Sequence, residues 1–321
     1  MAVYTEVPDD DLLAFVDEYD IGRVVSCKGI AEGVENSNYL LKTDRGTYIL
    51  TLYEKRVAEE DLPYFLELLE HLAGHGIPCP VPVHGRDGRV LRRLRERPAA
   101  VVTFLSGLPV RRASPAHCRQ LGAWLAELHR AGLDFPRERP NALSVGAWRP
   151  LFEACPAEGV ESLRRGLSVE LAGELDLLEA NWPTDLPRGV IHGDLFPDNV
   201  FFHRGRLSGM IDFYFACNDF LAYDVGVCLN AWCFEPDRSF NVTKARSLLN
   251  GYRRVRELSD AEIEALPLLA RGAAVRFLLT RMYDWLNYRA DAMVKLKDPL
   301  EYLQKLRFHR GVVDPAGYLA L

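Results

Sequence analysis

The sequence predicts an α+β chain in two lobes, a strand-rich front and a helix-rich back with a cleft between them. Three observations carry that expectation. Short runs of β-branched and aromatic residues, split by Gly-containing turns, fill much of the first hundred positions. Beyond them, apolar residues recur at helical spacing over long segments. The stretch "FLSGLPV" joins the two regimes, so the lobes are placed at 1–105 and 106–321.

In order, residues 9–20 read as a helix whose N-terminus is favoured by Asp9, Asp10 and Asp11. Strands follow around Val24, over Tyr39–Lys42 and over Thr47–Tyr53, with "TDRG" as the hairpin loop of an antiparallel meander. Leu62, Phe65, Leu66, Leu69 and Leu72 lie at helical spacing, and Gly74 to Pro78 end that helix. "GRVLRRL" and "PAAVVTFL" complete the strands of the front. In the back, Ser114-Pro115 starts a helix with Leu121, Trp124, Leu125 and Leu128 on one face. Residues 160–181 and 259–292 are helical by period, and the apolar pairs Val190-Ile191 and Met210-Ile211 are brief strands, each close to an Asp.

Composition narrows the class. The 321 residues are 48% hydrophobic and 26% charged, an ordinary globular balance with net charge -6. A chain without a long basic run is not expected to bind nucleic acid or an anionic membrane. The acidic N-terminus has no signal-peptide pattern, and no apolar run reaches the ~20 residues that span a bilayer. Seven cysteines form no CxxC, which suits a reducing, cytoplasmic setting. Monomer and homodimer are both open.

The chemistry concentrates in "VIHGDLFPDNVFF". Asp194 and Asn199 are five positions apart, and Asp212 follows after a hairpin turn. A carboxylate beside a short strand can accept a hydroxyl proton, while an amide oxygen and a second carboxylate are hard ligands suited to Mg²⁺. Together they fit phosphoryl transfer, which rests on positioning and charge neutralisation. The spacing D-x-x-x-x-N is that of a kinase catalytic loop, and "MIDFY" stands where D-F-G would. His192 is expected to brace that loop through backbone hydrogen bonds, and Asp224 to be its structural partner.

"GVENSNYLLKTDRGTYILTLYEK", "VIHGDLFPDNVFF" and "LSGMIDFYFACNDFLAYDVGVCLNAWCFE" resemble the aminoglycoside phosphotransferase and choline kinase superfamily, and within it the bacterial homoserine kinases. The resemblance runs from about Gly29 to Trp285. It implies a bilobal protein-kinase-like fold and ATP-dependent phosphorylation of L-homoserine, a step of threonine biosynthesis. It also implies that Asp194 is the catalytic base and that Asn199 and Asp212 hold Mg²⁺. The loop with Gly29, Gly33, Ser37 and Asn38 would cover the ATP phosphates, and the backbone of Thr103, Phe104 and Leu105 would pair with adenine.

Departures from the protein-kinase pattern shape the substrate. Thr51 stands in the position of the strand lysine and Phe65 in that of its helix glutamate, so Lys42 is the candidate replacement cation. H-G-D lacks the arginine that receives an activation-loop phosphate, and Tyr214 replaces the glycine of D-F-G. A small hydroxylated acceptor is therefore expected. Homoserine carries an ammonium and a carboxylate, for which Tyr214, Asp219, Arg276, Arg281 and Asp284 are the candidate partners. Choline would call for an aromatic cage and an aminoglycoside for an acidic surface. A nucleotide-binding scaffold without turnover is the alternative of another class.

Overall fold

In the computed structural model, which describes residues 5–30, 36–54, 58–287 and 296–319, the strand-forming runs of the front half become one five-stranded antiparallel sheet. Helix α1 (Asp9–Asp17) precedes β1 (Val24–Gly29), β2 (Ser37–Thr43) and β3 (Thr47–Leu52). Helix α2 (Leu62–Gly74), β4 (Arg92–Leu94) and β5 (Arg97–Thr103) follow. The first three strands form the expected meander; β5 then crosses to pair with β3, leaving β4 at the edge. Period-two alternation sends Tyr39 and Leu41 of β2 inward with Leu50, Leu52, Ala99 and Val101, where Leu12, Phe15 and Val16 of α1 cover them. The other face of β2 carries Asn38, Leu40 and Lys42.

The two-residue strand β6 (Leu108–Pro109) leads into the helical part. There α3 (Pro115–Ala131), α4 (Val145–Glu153), α5 (Ala157–Leu163) and α6 (Leu167–Asn181) come first. The run expected as one helix over 160–181 is two, because Arg164 leaves the helical region at φ -164° and Gly166, at φ +78°, precedes the start of α6. Strands β7 (Arg188–Ile191), β8 (Val200–His203), β9 (Arg206–Met210) and β10 (Cys217–Phe220) are short, and β10 pairs antiparallel with β7. Helices α7 (Leu221–Trp232), α8 (Val242–Arg253), α9 (Asp260–Leu286), α10 (Leu300–Arg310) and α11 (Ala316–Leu319) complete the chain. Ser259 and Glu262 cap α9 reciprocally, each side chain accepting the other's backbone N–H. Among the described residues, no helix is long and apolar enough to cross a membrane.

Contacts divide the chain into two units: Met1–Leu108 with Ser208–Tyr214, and Pro109–Leu207 with Phe215–Leu321. The return of Ser208–Tyr214 to the first unit is stitched by Ser208 Oγ to the Ser106 carbonyl at 2.7 Å and by Met210 N–H to the Pro78 carbonyl at 2.7 Å. The second unit's core gathers Trp148, Leu171, Leu175, Ile191, Tyr223, Leu278 and Tyr302 from elements far apart in sequence.

Helices α3 and α8 touch through paired glycines. A Cβ on Gly122 would lie 2.0 Å from the Leu248 carbonyl oxygen, and one on Gly251 would lie 2.0 Å from that of Arg119. Either Gly→Ala change is expected to destabilise the fold by roughly 1–3 kcal/mol through overpacking, read as a lower thermal midpoint.

His309 is fully buried between the Tyr318 hydroxyl at 2.8 Å and the Asn230 side-chain oxygen at 3.2 Å. Burial, helped by the charges of Lys305 and Arg271, pulls its imidazole from 6.5 down to about 3. The unfolded chain therefore takes the proton first, so this contribution to stability is present above 6.5 and is lost as pH falls toward about 3. The thermal midpoint of wild type should fall between pH 7 and 5 more steeply than that of His309→Gln, which is the less stable protein at pH 8 but the flatter titration.

Candidate active site

The chain leaves β7 at Ile191 and turns through His192, Gly193 and Asp194 without entering helix or sheet. Its backbone polar groups must then find side-chain partners. Asp224, fully buried on α7, accepts the backbone N–H of His192 at 2.7 Å and of Gly193 at 3.0 Å. The same carboxylate lies 3.2 Å from His129 Nε2, whose Nδ1 is 2.7 Å from the Tyr252 hydroxyl. Burial alone would raise the Asp224 pKa; the hydrogen bond and charge of His129, with His192, outweigh it and hold the group below its ordinary value. His192 Nδ1 accepts the N–H of Asp194 at 3.3 Å. Both residues thus brace the loop, as expected from the sequence.

Three further groups close the turn. Arg276 on α9, 5% exposed, donates from Nη1 to the Gly193 carbonyl at 2.6 Å and stands 3.8 Å from Asp194 Oδ1. Its guanidinium lies over the rings of Phe277, at 4.0 Å, and Phe215, at 5.1 Å. Trp232 donates its indole N–H to the Leu195 carbonyl at 2.8 Å. Asn199 donates its amide to the Asp194 carbonyl at 2.9 Å. Gly193 sits at φ +72°, where a Cβ would come within 3.0 Å of the Phe215 carbonyl oxygen. The outcome is a carboxylate, its side chain 19% exposed, fixed at the turn beside an amide whose nitrogen is already engaged.

The first unit holds the other candidates. Asp212 adopts φ +67°, one of few non-glycine residues in the left-handed region, which a short Asp side chain tolerates. Tyr214 packs edge-on against Tyr53 and Phe65, each with ring centroids 5.7 Å away. Thr51 donates its hydroxyl to Asn38 Oδ1 at 2.8 Å, a neutral pair on adjacent strands. Ser37 is buried and donates to Glu54 at 2.8 Å. Lys42 is exposed, on the same face of β2 as Asn38 but four residues toward the hairpin. Thr103 is bonded twice to Val81, through its N–H to the carbonyl and through its hydroxyl to the N–H, both at 2.9 Å. Phe104 is exposed, and Leu105 packs against Gly209. Gly33 lies outside the described residues.

The expected acceptor ligands of the second unit are engaged in different ways. Asp219 is buried on β10, accepting from the Asn141 amide at 2.7 Å and from the Phe220 N–H at 2.8 Å. Arg281 donates to Glu301 at 2.7 Å and lies over the Tyr302 ring. Asp284 is exposed on the last turns of α9. Arg276, as described, serves the loop itself.

Residues 26–258 match the phosphotransferase enzyme family, a span of most of the chain. The chain belongs to the phosphotransferase enzyme family. Among its relatives, the homoserine kinase of Rhodospirillum rubrum is 65% identical over 318 residues, covering 99% of each chain. Amicoumacin kinase, solved with AMP-PNP and Ca²⁺, superposes with a TM-score of 0.70 over 95% of this chain and 92% of its own, at 16% identity. A microcompartment-associated aminopropanol kinase reaches 0.70 over 97% and 99%, at 18% identity. These structural likenesses are of fold, and that fold is kinase-like. As a phosphotransferase, the protein uses ATP and a small-molecule acceptor.

Sequence reasoning passed over two members of this phosphotransferase's loop scaffold. His129 lies among Leu125, Leu128 and other apolar residues of α3, where a polar side chain at a core position signals a buried partner. Trp232 read as core or as one wall of an aromatic cage, since no local pattern marks the carbonyl it meets.

Asp224→Ala would leave the donors of His192, Gly193 and His129 buried without an acceptor. It should cost about 3–5 kcal/mol by denaturant unfolding, while Asp224→Asn, keeping one acceptor oxygen, should cost less.

Proposed function

We propose that this phosphotransferase is a homoserine kinase, moving the γ-phosphoryl group of ATP to the side-chain hydroxyl of L-homoserine to give O-phospho-L-homoserine and ADP. The supporting observation is identity of 65% along essentially the whole chain to a homoserine kinase, joined to a loop that presents one oriented carboxylate, Asp194. In this reading Asp194 orients the acceptor hydroxyl and takes its proton as the new O–P bond forms and the bond to ADP breaks. Transfer is direct, with no phosphoenzyme.

Asn199 and Asp212 fit a divalent cation. The Asn199 nitrogen is engaged by the Asp194 carbonyl, which leaves Oδ1 as its ligand atom, and Asp212 adds a carboxylate, an oxygen-only set suited to Mg²⁺. Bound Mg²⁺ would neutralise charge on the ATP phosphates. Asn38 and Thr51 offer neutral contacts where protein kinases place lysine, with Lys42 as the nearby cation, and Leu105 offers its backbone to adenine. Seven free thiols accord with a reducing, cytoplasmic setting.

An ATP- and Mg²⁺-dependent assay with L-homoserine, L-threonine, L-serine, choline and kanamycin tests the assignment; turnover confined to choline or kanamycin would overturn it. Asp194→Ala should lower kcat by ~10²–10⁴-fold with ATP binding by calorimetry nearly unchanged.

A further inference from the structure

Within the second unit, a cavity of about 410 Å³ opens beside the catalytic loop. Pro197, from the same turn as Asn199, lines it. So does Trp232, whose indole holds the loop at Leu195. The loop therefore forms part of its wall, which is what an acceptor subsite requires.

The charge of that wall selects the acceptor. Five basic side chains line it (Arg111, Arg112, Arg238, Lys244 and Lys305) against three acidic ones, a surplus of two positive charges. Two of the cations are almost wholly buried: Lys244 and Lys305 are each 5% exposed. Lys244 is matched by Glu235 at 2.6 Å. Lys305 is not matched in the same way. Its partner Glu301, at 2.6 Å, also accepts from Arg281 at 2.7 Å, so one carboxylate serves two cations. Lys305 is backed by the rings of Tyr302 at 4.3 Å and Phe234 at 5.5 Å, which stabilise an ammonium only weakly beside a full ion pair. A buried cation that shares its counter-ion is a place for a second anion.

We propose that this cavity is the subsite for the acceptor's carboxylate, with Lys305 as the principal cation that receives it and Arg112 at the exposed rim. The inference rests on the homoserine reading and adds to it a reason for specificity. A positively charged wall repels choline and aminoglycosides and rewards an α-amino acid. It also separates homoserine from 3-aminopropan-1-ol, which is homoserine without its carboxyl group.

The test is a cycle of two proteins and paired acceptors. Wild type and Lys305→Met are assayed with L-homoserine and 3-aminopropan-1-ol, and with L-serine and ethanolamine as a second acid and non-acid pair. Wild type should prefer the acid member of whichever pair it turns over, by about 30-fold or more. Lys305→Met should lower kcat/KM for the acid member by a similar factor, mainly through KM, while the non-acid member and the KM for ATP move less than about twofold. Parallel losses for both members, or an unchanged KM for the acid, overturn the proposal. Turnover of L-serine without L-homoserine would sink the homoserine reading while leaving the carboxylate subsite standing. Wild type alone gives a second reading that does not depend on how the variant folds. L-2-aminobutyrate, which keeps the carboxylate and lacks the hydroxyl, should compete with the acceptor where propylamine does not; equal inhibition by the two overturns the subsite.

Discussion

One buried carboxylate carries the organisation of the second unit. Asp224 has no solvent to share its charge, so the two backbone N–H groups of His192 and Gly193 and the ring of His129 must do so. The exchange works in both directions. The loop satisfies the acid, and the acid fixes a turn that has no sheet or helix of its own to follow. Arg276, Trp232 and Asn199 then anchor the carbonyls of Gly193, Leu195 and Asp194, so that successive peptide units are held from α9, α7 and the loop itself. The position of the Asp194 side chain is thus a property of the helical core. It is set by residues whose own places depend on packing, including the close crossing of α3 and α8 that positions His129 against Tyr252.

The first unit solves a different problem by removing charge. Thr51 and Asn38 bond to one another on adjacent strands, and Phe65, Tyr214 and Tyr53 meet edge to face. The two changes belong together. A lysine or a glutamate alone at these positions would be an uncompensated charge beside apolar rings.

Much of this was legible in the residues alone, where the signal is local. The D-x-x-x-x-N spacing, the strand runs of the front half and the helical period of α9 each depend on neighbours within a few positions. Asp224 was placed as the loop's partner because a carboxylate in an apolar helix requires donors. What lay beyond reach depends on distant pairs. His129 and Asp224 are 95 positions apart, and Arg276 and Gly193 are 83 apart. Arg276 read as an acceptor ligand because an arginine near a candidate site suggests a carboxylate; its burial against two aromatic rings and a carbonyl is visible only in the fold. Extended Arg164 and left-handed Gly166 split a helix whose apolar period ran on without a break. The charged cavity was hidden for the same reason, since its lysines come from α8 and α10 and its loop wall from between β7 and β8.

The aromatic contact between α2 and Tyr214 has a consequence for control. Protein kinases are switched by making and breaking a charged link between strand and helix, a link that added phosphate can favour or oppose. Ring edges carry no such handle: the contact is set by packing and does not depend on a charge that a new anion could oppose. A contact assembled in this way is in place as soon as the unit that holds it has folded.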